Sequence, residues 1–133
     1  MDLPPAVIVH GLADARLALA QARPVTLLSA PGAACHAGCL WWHSLLRASQ
    51  TPYLALLDCA DSPGRALEAL RMGLKGIVLG CDAGLFTAVL EPAAIYGALL
   101  LPRAPPALDL AARGAARGLP AWLAGGAASP AIP

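Results

Sequence analysis

Short apolar runs alternate with longer stretches of helical spacing along this chain. Residues 6–10 (AVIVH) are apolar and β-branched, and Leu12, Ala15, Leu19 and Ala22 then recur at helical intervals until Pro24. A second apolar run, 25–30 (VTLLSA), stops at Pro31-Gly32, and 33–50 reads as one helix carrying Trp41, Trp42, Leu45 and Leu46. Residues 53–60 (YLALLDCA) predict a third strand, after which Ser62 and Pro63 stand where a helix takes its N-cap and first residue. That helix runs through Leu67 and Leu70 to Gly73. Residues 76–81 (GIVLGC) predict a fourth strand, 83–97 a fourth helix bent or restarted at Pro92, and 99–101 a short fifth strand.

Continuously apolar strands separated by helices pair in parallel through right-handed crossovers. The pattern predicts an α/β fold, drawn as an open three-layer α/β/α arrangement with about five mostly parallel strands. A half-barrel-like β/α unit, completed as a homodimer, is the alternative. A closed eight-stranded barrel needs about 250 residues, and this chain has 133. Residues 1–101 are read as a single domain. After Pro102 the character changes, because six of the 13 prolines and four of the 13 glycines fall among alanines in 102–133. That segment is expected to be a C-terminal tail, loosely ordered or partly helical over 107–119, with Trp122 as an anchor.

Composition sharpens the choice of compartment. Apolar residues make up 58% of the chain and mean hydropathy is +0.64, which raises the question of a membrane span. The longest charge-free stretch, 24–46, is split by Pro31-Gly32 and carries Ser29, His36, His43 and Ser44, all costly in hydrocarbon. No membrane association is expected. The N-terminus has Asp2, two prolines and no basic flank, unlike a signal peptide, so the expected location is cytoplasmic. A net charge of +1 with eight dispersed arginines gives no electrostatic case for a nucleic-acid partner. Four cysteines in so apolar a chain read as buried small hydrophobes in a reducing compartment.

In open parallel sheets ligands bind beyond the carboxyl ends of the strands. Projected onto that edge, the chain gathers His10, Ser29, Gly32, Ala33, Asp58, Asp61 and Asp82. Ser29-Ala-Pro-Gly-Ala-Ala is a strand, tight turn and helix start whose small residues leave amides open to an anion. It lacks the lysine of a P-loop and the glycines of a dinucleotide fingerprint, and no cofactor is named by any motif. Asp58 ends a strand expected to be central, where a carboxylate is costly unless bonded, paired or functional. Asp58 and His10 are therefore the catalytic candidates, and Ser29, Gly32, Ala33, Asp61 and Asp82 the ligand-binding ones. Asp82 also stands where it would cap the fourth helix. On a single second helix, Cys35 and Cys39 would share the apolar face with Trp42 and Leu46. His36, Cys39 and His43, three and four apart, form a metal-binding alternative with no second ligand cluster to support it.

The segment 57–79 (LDCADSPGRALEALRMGLKGIVL) resembles a β-α-β unit of the phosphate-binding (β/α) barrel aldolases. The resemblance implies a strand, helix and strand here; it does not carry Schiff-base chemistry, since Lys75 is the only lysine and precedes the fourth strand. The whole chain, with its HGLADAR, LLSAPGAA and LDCADSPG blocks, resembles small bacterial α/β proteins for which no activity follows. The alternation also looks like a response-regulator receiver with Asp58 as acceptor, but His10 replaces the acidic pair and no lysine follows the fifth strand. The functional expectation is a domain that binds a small anionic metabolite at the strand carboxyl ends. Its alternatives are a non-catalytic accessory domain docking a partner through the Trp41/Trp42 helix or the tail, and a metal-binding protein.

Overall fold

A computed structural model describes residues 2–125. The strands are β1 (Ala6–Val9), β2 (Thr26–Ser29), β3 (Ala55–Asp58), β4 (Gly76–Val78), β5 (Leu99–Leu101) and β6 (Ala107–Asp109). The helices are α1 (Leu12–Leu19), α2 (Ala33–His36), α3 (Cys39–Ser49), α4 (Pro63–Arg71), α5 (Ala83–Ile95) and α6 (Ala115–Leu123). One sheet of six strands in the order β5-β4-β3-β2-β1-β6 carries only parallel pairings, so the protein has an α/β fold. None of its helices among the described residues is long and apolar enough to cross a membrane.

Local chemistry accounts for most boundaries. Ser62 caps α4, its hydroxyl accepting from the Arg65 amide at 3.2 Å, with Pro63 at the first helical position. Asp82 caps α5 by accepting from the Leu85 amide at 3.0 Å. The helix expected over 33–50 is two helices. Gly38 adopts a left-handed φ of +94° between α2 and α3, a conformation that ends one helix and redirects the next. Gly76 is required for a different reason: a Cβ there would collide with the Ala55 carbonyl and lie 2.8 Å from Leu56 Cδ2. β4 thus approaches β3 more closely than any side chain permits.

The segment expected as a tail supplies the sixth strand and the last helix. Ala107, Leu108 and Asp109 pair with Ala6, Val7 and Ile8. Leu119, Trp122 and Leu123 of α6 enter the main core, and the Trp122 indole N–H donates to the Ala6 carbonyl at 2.8 Å. Gly114, which on propensity weakens a helix over 107–119, instead precedes α6 with φ +77°. The remainder of the expected tail, 126–133, lies outside the described residues.

The helices occupy one face of the sheet. α1 packs on α3, α3 on α4 and α4 on α5, as consecutive right-handed crossovers between neighbouring strands require. Val7, Val9, Leu27, Leu57 and Ile77 meet Trp42, Leu70 and Leu119 in the core on that side. Side chains of opposite parity form a second cluster in which Leu28, Leu56 and Val78 are buried and Ile8, Leu54, Leu99 and Leu101 half-buried. Among the described residues this cluster draws on strands and their flanks and on no helix. The layering is that of the half-barrel-like β/α unit.

How a face without helices becomes buried follows from chain length. In a flat sheet the two edge strands would stand roughly 24 Å apart. Six Cα steps join Leu101 of β5 to Ala107 of β6, a reach of at most about 22 Å. Those steps must also return from the carboxyl to the amino end of the parallel strands. The sheet therefore curls, and its inner face closes on its own side chains: Leu99 and Leu101 from one edge share a cluster with Ile8 and Ala107 from the other.

Candidate binding site at the carboxyl edge of the sheet

The inner face is apolar along the strands and polar where they end. By strand parity, Asp58 continues the row of Leu54 and Leu56, and Asp109 that of Ala107. Register places Asp58 beside Val78 and Asp109 beside Ile8. Residues 102–104, leaving β5, pass next to this edge, and the Pro102 carbonyl lies 3.6 Å from where a Gly80 Cβ would be. Together Asp58, Asp61, Gly80, Pro102 and Arg103 line a concavity of about 510 Å³.

Asp58 is both a structural and an accessible group. Its Oδ1 accepts the Gly32 amide at 3.0 Å and the Ala60 amide at 2.8 Å, and these bonds offset the cost of a half-buried carboxylate. Both recorded bonds fall on Oδ1, which leaves Oδ2 for a ligand in the concavity. The same geometry answers the amide assigned to an anion on sequence grounds, because Gly32 N–H already donates to Asp58. Ser29 is buried, accepting the Asp58 amide at 2.9 Å and donating to the Ala30 carbonyl at 3.1 Å. Ala33 is buried at the start of the four-residue α2. Ser29 and Gly32 thus hold Asp58 in place, while Ala33 packs in the core. Asp61 lines the concavity, while Asp82 serves α5 as a cap and is not part of that lining.

His10 is paired with Asp109, a residue of the segment expected as a tail. Its Nε2 lies 2.6 Å from Asp109 Oδ1, and its backbone amide donates to Asp14 at 2.9 Å. Burial pushes the Asp109 carboxyl up, but the Ala111 amide and the bond and charge of His10 outweigh it and hold the group below its ordinary value. An ionised Asp109 accepts only, so in the neutral imidazole the proton sits on Nε2 and Nδ1 is free to accept one. β2 lies between β1 and β3, which sets His10 and Asp58 about 10 Å apart along the edge.

Asp109 and Arg103 are the functional candidates that sequence reasoning missed. A signal was present for the first: ALDL at 107–110 has the same strand-ending aspartate as ALLD at 55–58. Arg103 carries no motif and depends on the turn out of β5.

The other candidates are separated by the fold. Among the described residues no group of His, Cys, Asp and Glu side chains is placed to hold a metal. The break at Gly38 puts His36 on α2 and Cys39 and His43 on α3, so the three do not share a helix face. It also leaves Cys35 exposed rather than on the apolar face. Cys39 is buried, donating to the Arg65 carbonyl at 3.5 Å. Burial, reinforced by the charges of Cys39, Asp58 and Cys35, pushes the Cys59 thiol up to about 12, so it is a neutral core group and not a nucleophile at neutral pH. Trp42 is fully buried and its neighbour Trp41 half-buried. Comparison with known proteins found no matching family model, no matching curated protein and no matching solved structure.

Proposed function

We propose that this protein is a small cytoplasmic domain that binds an anionic metabolite at the carboxyl edge of its sheet. The observation that carries the reading is the convergence of Arg103, Asp58 and Asp61 on one concavity of about 510 Å³, a volume typical of small-ligand sites. Arg103 supplies a fork of N–H donors for a carboxylate or phosphate. Asp58 Oδ2 and Asp61 accept hydroxyl or amine protons from the remainder of the same molecule. The ligand class is therefore a small compound with an anionic end and a donor-rich end. The cytoplasmic placement rests on the cysteines, all four of which are free. A second copy is not needed to cover the inner face, since Leu28, Leu56 and Val78 are already buried.

The His10–Asp109 pair favours a second reading, in which the bound metabolite is also a substrate. An imidazole oriented by a carboxylate, with its other nitrogen free, is the arrangement of a general base. In that reading His10 accepts the proton and Asp58 positions the substrate.

Thermal-shift measurements with a panel of carboxylated and phosphorylated metabolites test the first reading on the wild-type chain, Arg103→Ala and Asp58→Asn. At least one anionic compound is expected to raise the midpoint of the wild type, and Arg103→Ala to abolish that shift. Asn at position 58 keeps an oxygen for the two amides, so Asp58→Asn is expected to fold and to show a reduced shift. No shift in the wild type, or equal shifts in all three proteins, overturns the assignment. His10→Gln, with binding retained and turnover of the same compound lost, would establish the second reading.

A further inference from the structure

A second cavity lies at the opposite, amino edge of the sheet, about 450 Å³ in volume, between the end of α3 and the starts of β3 and β4. Leu46, Tyr53 and Leu74 give it apolar walls, and His43, Arg47 and Lys75 are the three basic residues of its lining. No aspartate or glutamate lines it. Gly73 stands at its margin with φ +89° and open space where a Cβ would be, so the chain turns there without filling the cavity.

The cations are unanswered within the fold. The two ion pairs among the described residues are His10–Asp109 and Arg65–Glu68, which leaves Arg47 and Lys75 without a described carboxylate partner. Lys75 Nζ donates to the Tyr96 carbonyl, a neutral acceptor that fixes the ammonium and leaves two of its three protons free. Lys75 is the only lysine of the chain, and it is held at this edge. α3 also ends here, with Arg47 in its last turn. A helix carboxyl end presents carbonyls and partial negative charge, so an anion at this edge has to be held by side chains. Apolar walls with a few convergent polar groups are the general composition of a small-molecule site.

We infer that this cavity is a second binding site, distinct from the carboxyl-edge concavity, for a small amphipathic anion: an aromatic or branched apolar body carrying one carboxylate or phosphate. The body lies against Leu46, Tyr53 and Leu74, and the anionic group meets Arg47 and Lys75. His43 adds a further donor on the same wall.

The test uses the full chain with 3-phenylpropionate as the probe and 3-phenylpropanol as its neutral analogue, followed by amide chemical shifts. Saturable shifts at Tyr53 and Leu74 are expected with the carboxylate in the millimolar range, and weaker binding of the alcohol. Arg47→Ala and Lys75→Gln are each expected to weaken the carboxylate about tenfold, the loss of one charge-assisted hydrogen bond. Both side chains are exposed, so the variants should keep the wild-type thermal midpoint. Arg103→Ala should bind the probe like the wild type, which separates this site from the carboxyl edge. The inference is overturned by absence of saturable binding, by equal affinity for the alcohol, or by unchanged affinity in both cation variants.

Discussion

Asp109 shows how one side chain joins stability to the site. Its carboxyl is held below the ordinary value while it bonds His10 and the Ala111 amide. A depressed folded-state value means that the stabilisation is fully present above the unfolded value and is lost as pH falls through the folded one. With an ordinary value of 3.8, the loss is expected below that pH. Urea midpoints measured at neutral pH and down through the acid range should therefore fall less steeply for Asp109→Asn than for the wild type. Identical acid limbs would show that the His10 pair contributes nothing to folding. Both residues are substantially exposed, so the effect on stability is modest and the effect on the His10 tautomer is the larger consequence.

At the scale of elements, caps and close approaches carry unequal energies. Ser62→Ala removes one side-chain cap from α4 and is expected to cost about 1 kcal/mol. Gly76→Ala drives a methyl group into the backbone of β3, which cannot yield as a flexible side chain can, and is expected to cost about 3 kcal/mol or more. Chemical denaturation of the two variants checks the order, and a smaller loss at Gly76 would refute the close approach. These elements also show which parts of the fold the residues announce. Ser62-Pro63 and Asp82 are legible because a cap is a contact within four residues, and strands β1 to β5 because a buried parallel strand is apolar throughout. The division of α2 from α3 was hidden because Gly38 is compatible with a helix interior at moderate cost. β6 was hidden because Ala107–Asp109 sits in an alanine-rich segment whose spacing also fits a weak helix, and its pairing partner lies about a hundred positions away in the chain.

For the whole molecule, the segment after Leu101 decides whether the rest can fold. Removing residues 102–133 takes away β6, one of the two partners of β1, the three apolar anchors of α6 and the turn that carries Arg103. Such a truncation is expected to lose cooperative thermal unfolding, as followed by circular dichroism; a cooperative transition in residues 1–101 alone would show that β6 and α6 are accessory. The candidate site divides along the same line. Asp58, Asp61 and His10 were legible as polar residues at the ends of apolar runs, whereas Asp109 reaches the edge only because β6 returns to pair with β1, and Arg103 because the turn out of β5 passes beside Gly80. The return of the chain from β5 to β6 also has a consequence for synthesis. β1 leaves the ribosome about a hundred residues before β6, and its outer edge must wait for that strand. Until then the nascent protein carries a bare strand edge, and contacts of such long sequence separation form slowly. Translation speed over the stretch between β1 and β6, rather than the folding of any single β-α unit, then sets how long each newborn molecule stays open to pairing with the wrong partner.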